Sequence, residues 1–405
     1  MRDDGSMGRR AFLRSAAAGM TSLVLARSVG AVQNGGSPEA SSPERKLLFR
    51  TLGKSGIRLP VISMGVMNAD NPNLVRAALD AGIIHFDTAH SYQKGRNEAM
   101  LGEVFKGVPR DRYVLATKVA GDGMDRRTGR FTPETKGEEF LRRFELSLQR
   151  LGSGHVDILY LHNVWTREAA LFEPLLKALE RVRKEGKARF VGLSTHRNEP
   201  EVIQAATESR LYDVVLTAYN FKQDHAHEVR QAIAKAGQAG LGVVAMKTLA
   251  GGYLDHEKQH PVNPKAALKW VLQEPNVHTV IPGFTTFEQM DLDLSVMEDL
   301  TLEESEKKDL RIGLSRTGLY CQGCGACTSQ CLGRLPIPDL MRAHMYALGY
   351  GNLEEAQDLL SSLDLPDDPC RGCEPCPVRC RKGFSVSKKI REVAGIRKVP
   401  APFVA

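Results

Sequence analysis

Short apolar runs alternate with amphipathic segments from residue 48 to about residue 300 of this 405-residue chain, and the alternation limits the folds open to it. Segments with helical periodicity, such as 138–151 and 173–184, follow the runs. Eight β-then-α units in about 250 residues predict an α/β fold, a (β/α)8 TIM barrel. Residues 52–60 predict a small hairpin on the barrel floor. The eight runs are 61–66, 83–87, 113–119, 156–162, 190–194, 214–219, 243–247 and 277–282.

A doubly wound parallel sheet is the alternative interpretation of the same alternation. The dinucleotide-binding form of that fold carries a Gly-x-Gly-x-x-Gly turn after its first strand. No such turn follows residues 61–66, so the sequence favours the barrel.

All eight cysteines lie near the C-terminal end, in two runs that share the spacing C-x2-C-x2-C-x3-C. Three thiolates on one tight turn can reach three corners of a cube, so the spacing predicts two [4Fe–4S] clusters. In two-cluster ferredoxins the fourth cysteine of each run ligates the other cluster. The first expected ligand set is therefore Cys321, Cys324, Cys327 and Cys380, and the second is Cys370, Cys373, Cys376 and Cys331.

Disulfides and tetrahedral zinc are the alternative interpretations of these cysteines. A disulfide framework has no need of one four-cysteine spacing repeated, and zinc would need only two Cys-x2-Cys pairs. Between the runs, residues 338–348 and 353–363 have helical patterns. Leu332 and Arg381 follow the fourth cysteines, where bacterial ferredoxins often have proline. Residues 321–385 are therefore predicted to form a mainly helical ferredoxin-like domain.

The first 31 residues have the pattern of an export signal. Residues 8–14 contain paired arginines followed by Phe-Leu, residues 15–26 are uncharged and mostly small or apolar, and Val29-Gly30-Ala31 offers a small-residue cleavage site. The paired arginines resemble a twin-arginine signal of bacteria. This pathway moves folded proteins, which suits clusters inserted before export, and it predicts a periplasmic location. A disordered basic tail is the alternative.

The remaining segments complete the expected domain map. Residues 32–47, rich in Ser, Gly, Pro and Glu, predict a linker, residues 48–300 the barrel, 301–320 a connecting helix and 386–405 a C-terminal tail. Residues 1–31 carry five arginines and two aspartates, so their removal lowers the formal charge of +7 by three. Nothing in that balance indicates a nucleic-acid partner. No later segment is apolar enough to predict a transmembrane anchor.

Polar side chains stand at the ends of three predicted strands, where a barrel gathers its chemistry. They are Asp87 and Tyr92 after the second run, Lys118 at the end of the third, and His162 at the end of the fourth. Singly, each has a structural explanation, such as a helix cap or a buried histidine. Together they predict an acid: Asp87 holds the Lys118 ammonium, which is expected to lower the pKa of the Tyr92 phenol. Such a phenol can protonate a carbonyl oxygen.

With these residues the sequence resembles the aldo-keto reductase family, in the branch with a C-terminal ferredoxin-like domain. The resemblance implies that Asp87, Tyr92, Lys118 and His162 form a catalytic tetrad, and that Arg150 and Asp157 are structural and pair with each other. The motifs that carry it are Asp87-Thr88-Ala89-x-x-Tyr92, Asn97-Glu98, Leu101-Gly102, Ser147-Leu148, Arg150-Leu151, Asp157, His162, Gly192-Leu193-Ser194, Tyr219-Asn220 and Ile281-Pro282-Gly283.

The resemblance also implies a nicotinamide cofactor, extended across the barrel mouth. Three positions depart from the family pattern: Thr195 replaces an asparagine, Leu216 a glutamine, and Met246 an aromatic residue. Residues 283–289 contain no Lys or Arg for a 2′-phosphate, so NADP(H) and NAD(H) both stay open. The residues implied to bind the cofactor are Ser194, Thr195, Met246, Lys247, Thr248, Leu249, Gly283 and Gln289.

These features predict an oxidoreductase that interconverts a carbonyl and an alcohol on a small substrate of the sugar or aldehyde class. The two clusters are a candidate electron relay to a redox partner protein. The alternatives are clusters with a structural role, or an electron-transfer or scaffold protein built on an inactive barrel. His225 and His227 are two residues apart at a helix start and face different ways, which argues against a metal site there.

Overall fold

The computed structural model describes residues 47–400 and Phe403. The predicted export signal, residues 1–31, and residues 32–46 of the predicted linker lie outside the described residues. Within the described part, every helix is too short or too polar to cross a bilayer.

The described residues form twelve strands, eight of which build one parallel sheet. In that sheet the neighbours follow the order β3-β4-β5-β8-β9-β10-β11-β12. A bridge between Ile62 and Val280 joins its first and last edges, so the sheet is a nearly closed barrel. The strands are β1 Phe49–Thr51, β2 Arg58–Pro60, β3 Met64–Gly65, β4 His85–Asp87, β5 Val114–Val119, β6 Met124–Asp125, β7 Arg130–Phe131, β8 Val156–Leu161, β9 Ala188–Thr195, β10 Val214–Ala218, β11 Gly242–Met246 and β12 Thr279–Val280.

The barrel prediction is confirmed, and each of the eight predicted runs overlaps one barrel strand. The first and last strands are the shortest, because only two residues of each make regular ladder bonds. Further backbone bonds continue this seam: the N–H of Ser63 donates to the carbonyl of Val280 at 2.8 Å and that of Gly65 to Pro282 at 3.0 Å.

Helices connect the strands and cover the barrel. Helix α3 buries Phe140, Phe144 and Leu148 on one face and is followed by Gly152, whose φ of 60° is the left-handed conformation that glycine readily adopts at a helix end. The helices are α1 Pro72–Asp80, α2 Arg96–Phe105, α3 Gly137–Leu151, α4 Arg167–Ala170, α5 Glu173–Lys184, α6 Glu199–Ser209, α7 Ala226–Gln238, α8 Pro264–Leu272, α9 Phe287–Val296, α10 Glu304–Ser315, α11 Ile337–His344, α12 Leu353–Ser361 and α13 Val386–Ala394.

Apolar side chains fill the barrel interior and close its floor. Tyr160 and Leu216 are fully buried there. A Cβ on Gly192 would lie 2.4 Å from the Val214 carbonyl and 2.7 Å from the Tyr160 ring, so glycine makes room for that tyrosine. Strands β1 and β2 form the predicted antiparallel hairpin, and Leu52 between them packs in the same interior cluster.

The C-terminal residues form a helical layer that packs on the barrel. Helix α10 lies in the segment predicted to be a connecting helix. Helices α11, α12 and α13 share a second core cluster, to which Leu340, Leu360 and Ile390 contribute. Helix α11 continues as a π-helix, Met345–Gly349. Helix α13 falls in the segment predicted as a tail, but its apolar face is buried against α11.

Candidate active site

The ends of β4 and β5 bring three of the four predicted catalytic side chains into contact. The Lys118 Nζ donates to Asp87 Oδ1 at 2.5 Å and to the Thr88 carbonyl at 2.6 Å. It lies 3.3 Å from the Tyr92 hydroxyl and 4.7 Å from the centre of that ring. The ammonium thus links the carboxylate to the phenol. Lys118 and Asp87 are almost completely buried, so solvent screens this pair weakly.

Burial sets the protonation of these groups. It raises the pKa of Asp87 and lowers that of Lys118, and in both cases the charge of the partner opposes the shift. Burial, with the negative charges of Asp87 and Glu355, also raises the pKa of Tyr92 well above its usual value. The expected lowering of the Tyr92 pKa is therefore wrong for the free protein, because burial and the nearby negative charges raise it. Tyr92 keeps its proton, which is the form that can donate it.

Two buried side chains hold the loop that carries Thr88. The Thr88 hydroxyl donates to Asn97 Oδ1 at 2.6 Å, and Asn97 Nδ2 donates to the Val66 carbonyl at 2.7 Å. Glu98, the next residue, accepts from the Thr117 hydroxyl at 2.6 Å. The Asn97-Glu98 pair thus positions Thr88, which follows Asp87, and Thr117, which precedes Lys118.

His162 follows β8 and faces the same mouth. Its ring centre lies 6.0 Å from that of Tyr92, at an interplanar angle of 82°. Burial and the positive charges of Lys118, Lys247 and Arg342 lower the pKa of His162 well below its usual value. The imidazole is therefore neutral and can donate one hydrogen bond and accept another.

Arg150 and Asp157 do not pair with each other, and the implied pairing is wrong. Arg150 Nη1 lies 3.4 Å from Glu98 Oε2, whereas Asp157 accepts from Arg110 and Arg189 at 2.6 Å each. Their positions on α3 and β8 direct them to different partners. Both remain structural residues.

A cleft of about 390 Å³ opens beside the tetrad. Asp87, Tyr92 and Lys118 line one part of it. Gly349 and Tyr350, which come from the C-terminal layer, line another part. Six of the residues implied to bind the cofactor also line the cleft: Met246, Lys247, Thr248, Leu249, Gly283 and Gln289.

Ser194 and Thr195, the other two, are buried at the end of β9. The Ser194 Oγ accepts from the backbone N–H of Asn163 at 3.0 Å, and the Thr195 hydroxyl donates to the Arg197 carbonyl at 2.9 Å. Ser194 keeps its own proton for donation, whereas that of Thr195 is engaged. The buried Oδ1 of Asn163 has no partner in the described part of the chain. It is a free hydrogen-bond acceptor that the sequence did not single out.

Lys247 occupies an unusual position in the cleft. Its φ of 58° follows β11, and its Nζ lies 5.0 Å from the ring centre of Tyr346 and 5.1 Å from that of Tyr350. Burial, followed by the charge of Arg342, lowers the pKa of Lys247 to about 7. A lysine so poised can hold an anion of the cofactor or substrate.

The far end of the cleft is formed by the loop after β12. Gly283 and Gly65 lie back to back: a Cβ on Gly283 would be 3.4 Å from the Gly65 carbonyl. Gln289 Oε1 accepts from the Thr285 N–H at 2.8 Å, and Thr286 caps α9. Two local hydrogen bonds to side chains, one from the Thr285 N–H and one from the Gln289 N–H, therefore fix the backbone at the start of α9.

Helix α12 docks beside the tetrad, which the sequence did not predict. Glu354 accepts from Arg96 at 2.5 Å and lies 3.5 Å from the Nζ of Lys94, in the turn that carries Tyr92. The negative charge of Glu355, the next residue, acts to raise the pKa of Tyr92 and that of Lys247. Burial, followed by the charge of Asp358, raises the pKa of Glu355 itself to about 7. A segment between two cysteine runs gives no local signal that it covers a barrel mouth.

The eight cysteines, all free thiols, surround two small cavities in the C-terminal layer. Each cavity receives three cysteines from one run and the fourth from the other run. The grouping matches the two sets expected from the spacing. The first cavity is lined by Cys321, Cys324, Cys327 and Cys380, and the second by Cys370, Cys373, Cys376 and Cys331.

His225 and His227 have separate structural partners. His225 Nε2 lies 2.8 Å from the buried Glu199 carboxylate, and His227 lies 3.0 Å from Gln231. The hydrogen bond to Glu199 raises the pKa of His225. The pair of His225 and Glu199 joins the starts of α6 and α7.

Comparison with known proteins gives matches over the barrel. The family model described as "Aldo/keto reductase family" matches residues 63–266. L-glyceraldehyde 3-phosphate reductase of Escherichia coli (strain K12) is 26% identical over 330 residues, 66% of this chain and 92% of the relative. L-galactose dehydrogenase of Arabidopsis thaliana is 24% identical over 298 residues, 63% of this chain and 89% of the relative. A solved aldo-keto reductase from Bacillus halodurans, in its holo form, superposes with a TM-score of 0.53 at 22% identity and covers 66% of this chain and 96% of its own. The structural likeness shows the fold.

Proposed function

The chain belongs to the aldo/keto reductase family of NAD(P)-dependent oxidoreductases, and from this premise we propose that it interconverts a carbonyl and an alcohol at the cleft beside Tyr92. The observation that carries the proposal is the Lys118 ammonium, held between the Asp87 carboxylate and the Tyr92 hydroxyl. An ion pair with Asp87 alone would satisfy a lysine with a purely structural role, and it would not place a protonated phenol beside the ammonium at a cleft. This arrangement favours an enzyme over a scaffold with an inactive barrel.

The nicotinamide cofactor supplies hydride when bound. Asn163 and Ser194 would hold its carboxamide, Met246 can cover a ring face through its polarizable thioether, and Lys247 can neutralise a phosphate. Gly283 lines the cleft without a side chain, so a cofactor can approach its backbone. Within the described residues Asn163 Oδ1 has no hydrogen-bond partner and Lys247 forms no direct ion pair, so both fit such a group.

Tyr92 is the proposed proton donor to the substrate oxygen in reduction, and it takes the proton back in oxidation. Lys118 steadies the charge that develops on the phenol oxygen, and Asp87 fixes the lysine in place. Neutral His162 can donate a hydrogen bond to the same substrate oxygen, which orients the carbonyl. Each step uses a group whose protonation the structure supports.

The first test is the variant Tyr92→Phe. We expect the turnover rate to fall by a factor of about 100 to 10,000, because the proton donor is lost while the ring remains. The Kd for the nucleotide, measured by fluorescence titration, should stay within about twofold. Tyr113→Phe removes a hydroxyl from a tyrosine outside the cleft, stacked on Phe105, and should leave turnover unchanged. Equal turnover of Tyr92→Phe and the natural protein contradicts the proposal.

The substrate is proposed to be a small aldehyde, ketone or alcohol of the sugar type. The names of the two relatives above refer to a phosphorylated aldehyde and to a sugar, which supports this class. The cleft of about 390 Å³ suits a small substrate beside part of the cofactor. Steady-state rates with a panel of sugars and aldehydes would identify it.

We further propose that the two cysteine sets each hold a [4Fe–4S] cluster, which would supply one-electron transfer between this enzyme and a redox partner protein. The observation that supports it is that four thiols surround each cavity. Clusters that bleach when the substrate alcohol is added anaerobically would indicate a relay. Clusters that stay oxidised during turnover would indicate a structural role instead.

Export by the twin-arginine pathway to the periplasm is the remaining proposal, based on residues 1–31. Fusion of these residues to a reporter that is active only when exported folded would test it. Replacement of both Arg9 and Arg10 by lysine should abolish export, whereas replacement of Arg27 should not.

A further inference from the structure

Three side chains outside the described cleft converge in the C-terminal layer: His256, His344 and Glu392. One ligand atom from each lies within 4.8 Å of the others. His344 Nε2 is 2.9 Å from Glu392 Oε2, and His256 Nε2 is 3.8 Å from Glu392 Oε1. The two imidazole rings face each other with centres 5.8 Å apart. The three side chains come from three elements: His256 from the loop after β11, His344 from helix α11 and Glu392 from helix α13.

The hydrogen bonds of His344 cannot all be satisfied in this arrangement. Its Nε2 lies 2.9 Å from the Glu392 carboxylate, which only accepts, and 3.4 Å from the Lys389 ammonium, which only donates. A single ring nitrogen can serve one of these groups but not both. Its Nδ1 is buried and has no partner within the described residues. The conflict at Nε2 is relieved if its lone pair and the Glu392 carboxylate bind a shared cation and the Lys389 ammonium turns away.

We propose that His256, His344 and Glu392 bind a divalent transition-metal ion of the zinc type. Two imidazoles and one carboxylate are ligands that zinc prefers, and a tetrahedral site separates its donor atoms by about 3.3 Å, between the two measured spacings. The three residues would leave a fourth position, and an open cavity of about 600 Å³ is lined by His256 and Glu392. Water can reach that position from the cavity.

Lys389 is the competitor for this site. Its Nζ is buried beside His344, and it also lines the cavity, so the side chain has room to turn outward when a cation enters. The Lys389 ammonium should therefore lower the affinity of the site for a divalent cation without preventing binding.

The ion would tie the cleft to the C-terminal layer. His256 lies in a loop closed by a bridge between Tyr253 and Pro261, and both of these residues line the nucleotide cleft. His344 and Glu392 belong to helices of the C-terminal layer. Metal occupancy would therefore hold the cleft loop against α11 and α13.

The test uses the full chain with its iron content measured first, and Zn²⁺ and Co²⁺ as the probes. We expect one Zn²⁺ per chain in addition to the iron, and a Co²⁺ complex with the weak visible bands of nitrogen and oxygen ligands. A thiolate-to-cobalt charge-transfer band would place the ion on the cysteines and overturn the proposal.

Three variants sharpen the result. His256→Ala changes a half-exposed residue and should weaken Zn²⁺ binding at least tenfold, while His260→Ala, in the same loop and paired with Asp255, should not. Lys389→Met removes the competing ammonium and should tighten Zn²⁺ binding several-fold. Unchanged affinity in His256→Ala, equal losses in both histidine variants, or weaker binding by Lys389→Met would each overturn the proposal.

Discussion

Individual residues at this site are controlled by burial more than by their immediate charge partners. Tyr92 lies 3.3 Å from an ammonium and still has a raised pKa, because desolvation penalises the phenolate and the negative charge of Asp87 repels it. The pKa of Lys247 is shifted in the opposite direction for the same reason, since burial there penalises the cation and lowers the pKa. The free enzyme thus holds a protonated acid and a lysine that titrates near neutrality.

Lys247 gives a pH-dependent prediction. It is charged below pH 7 and neutral above it, so an anion bound to it is held more weakly as pH rises. We expect the Kd for NADH to weaken by up to about tenfold between pH 7 and pH 8, and Lys247→Met to remove this dependence. Lys177→Met, an exposed change on α5, is the control that should keep it. A slope that survives in Lys247→Met would assign the titration to another group.

Glu288 gives a prediction on cofactor choice. It stands in the first turn of α9, and residues 283–289 contain no basic side chain to offset it. A 2′-phosphate near this turn would be repelled, so we expect NADH to bind at least as tightly as NADPH. Glu288→Lys should improve the NADPH/NADH affinity ratio several-fold. Glu228→Lys makes the same charge change on α7, and an equal improvement there would show a general electrostatic effect instead.

Among the elements, the barrel strands could be predicted from sequence and the cover of the barrel mouth could not. Buried parallel strands are continuous apolar runs, and their carboxyl ends share one edge, which is why Asp87 and Lys118 were expected to meet. Tyr350 is separated from Tyr92 by more than half of the chain, and no periodicity connects them. The convergence of His256, His344 and Glu392 depends on the same tertiary packing.

Helix α12 supplies a prediction at this scale. Glu354 is its main polar contact with the barrel, through Arg96 and Lys94. Glu354→Gln should weaken this contact, and the backbone amides of residues 353–361 should exchange hydrogen faster while the barrel strands do not. Partly exposed ion pairs contribute up to about 1 kcal/mol, so global unfolding should change little. Glu139→Gln, which breaks an ion pair on α3, should leave α12 protected; faster exchange there would point to a global effect.

At the scale of the whole molecule, the C-terminal layer is tied to the barrel at several places. Lys222, in the loop after β10, donates to the carbonyls of Gly313 and Arg316 at 2.5 and 2.6 Å and so caps the end of α10. Asn352 donates to Asn68 at 2.8 Å near the other side of the mouth. The layer therefore forms part of the cleft wall and is not an independent appendage.

The crossed cysteine sets give a prediction for the assembled protein. If the proposed clusters are present, Cys331→Ala and Cys376→Ala should lose the same one, because both residues line the second cavity. Cys380→Ala should lose the cluster of Cys324→Ala instead, since these line the first. Each variant should lose up to about four irons per chain, and electron paramagnetic resonance should show the same surviving signal within each pair. Pairing by run, Cys331 with Cys324, would refute the crossed arrangement.

The position of Tyr350 in the cleft wall has a consequence for synthesis. A ribosome delivers Asp87, Tyr92, Lys118 and His162 long before it reaches α12, so a nascent chain could complete its barrel while the mouth still faces water. Competence for selective turnover would then arise only after translation ends. Truncated products that stop near residue 300 would be a different catalyst from the finished enzyme, with an open mouth and a wider choice of molecules that enter it.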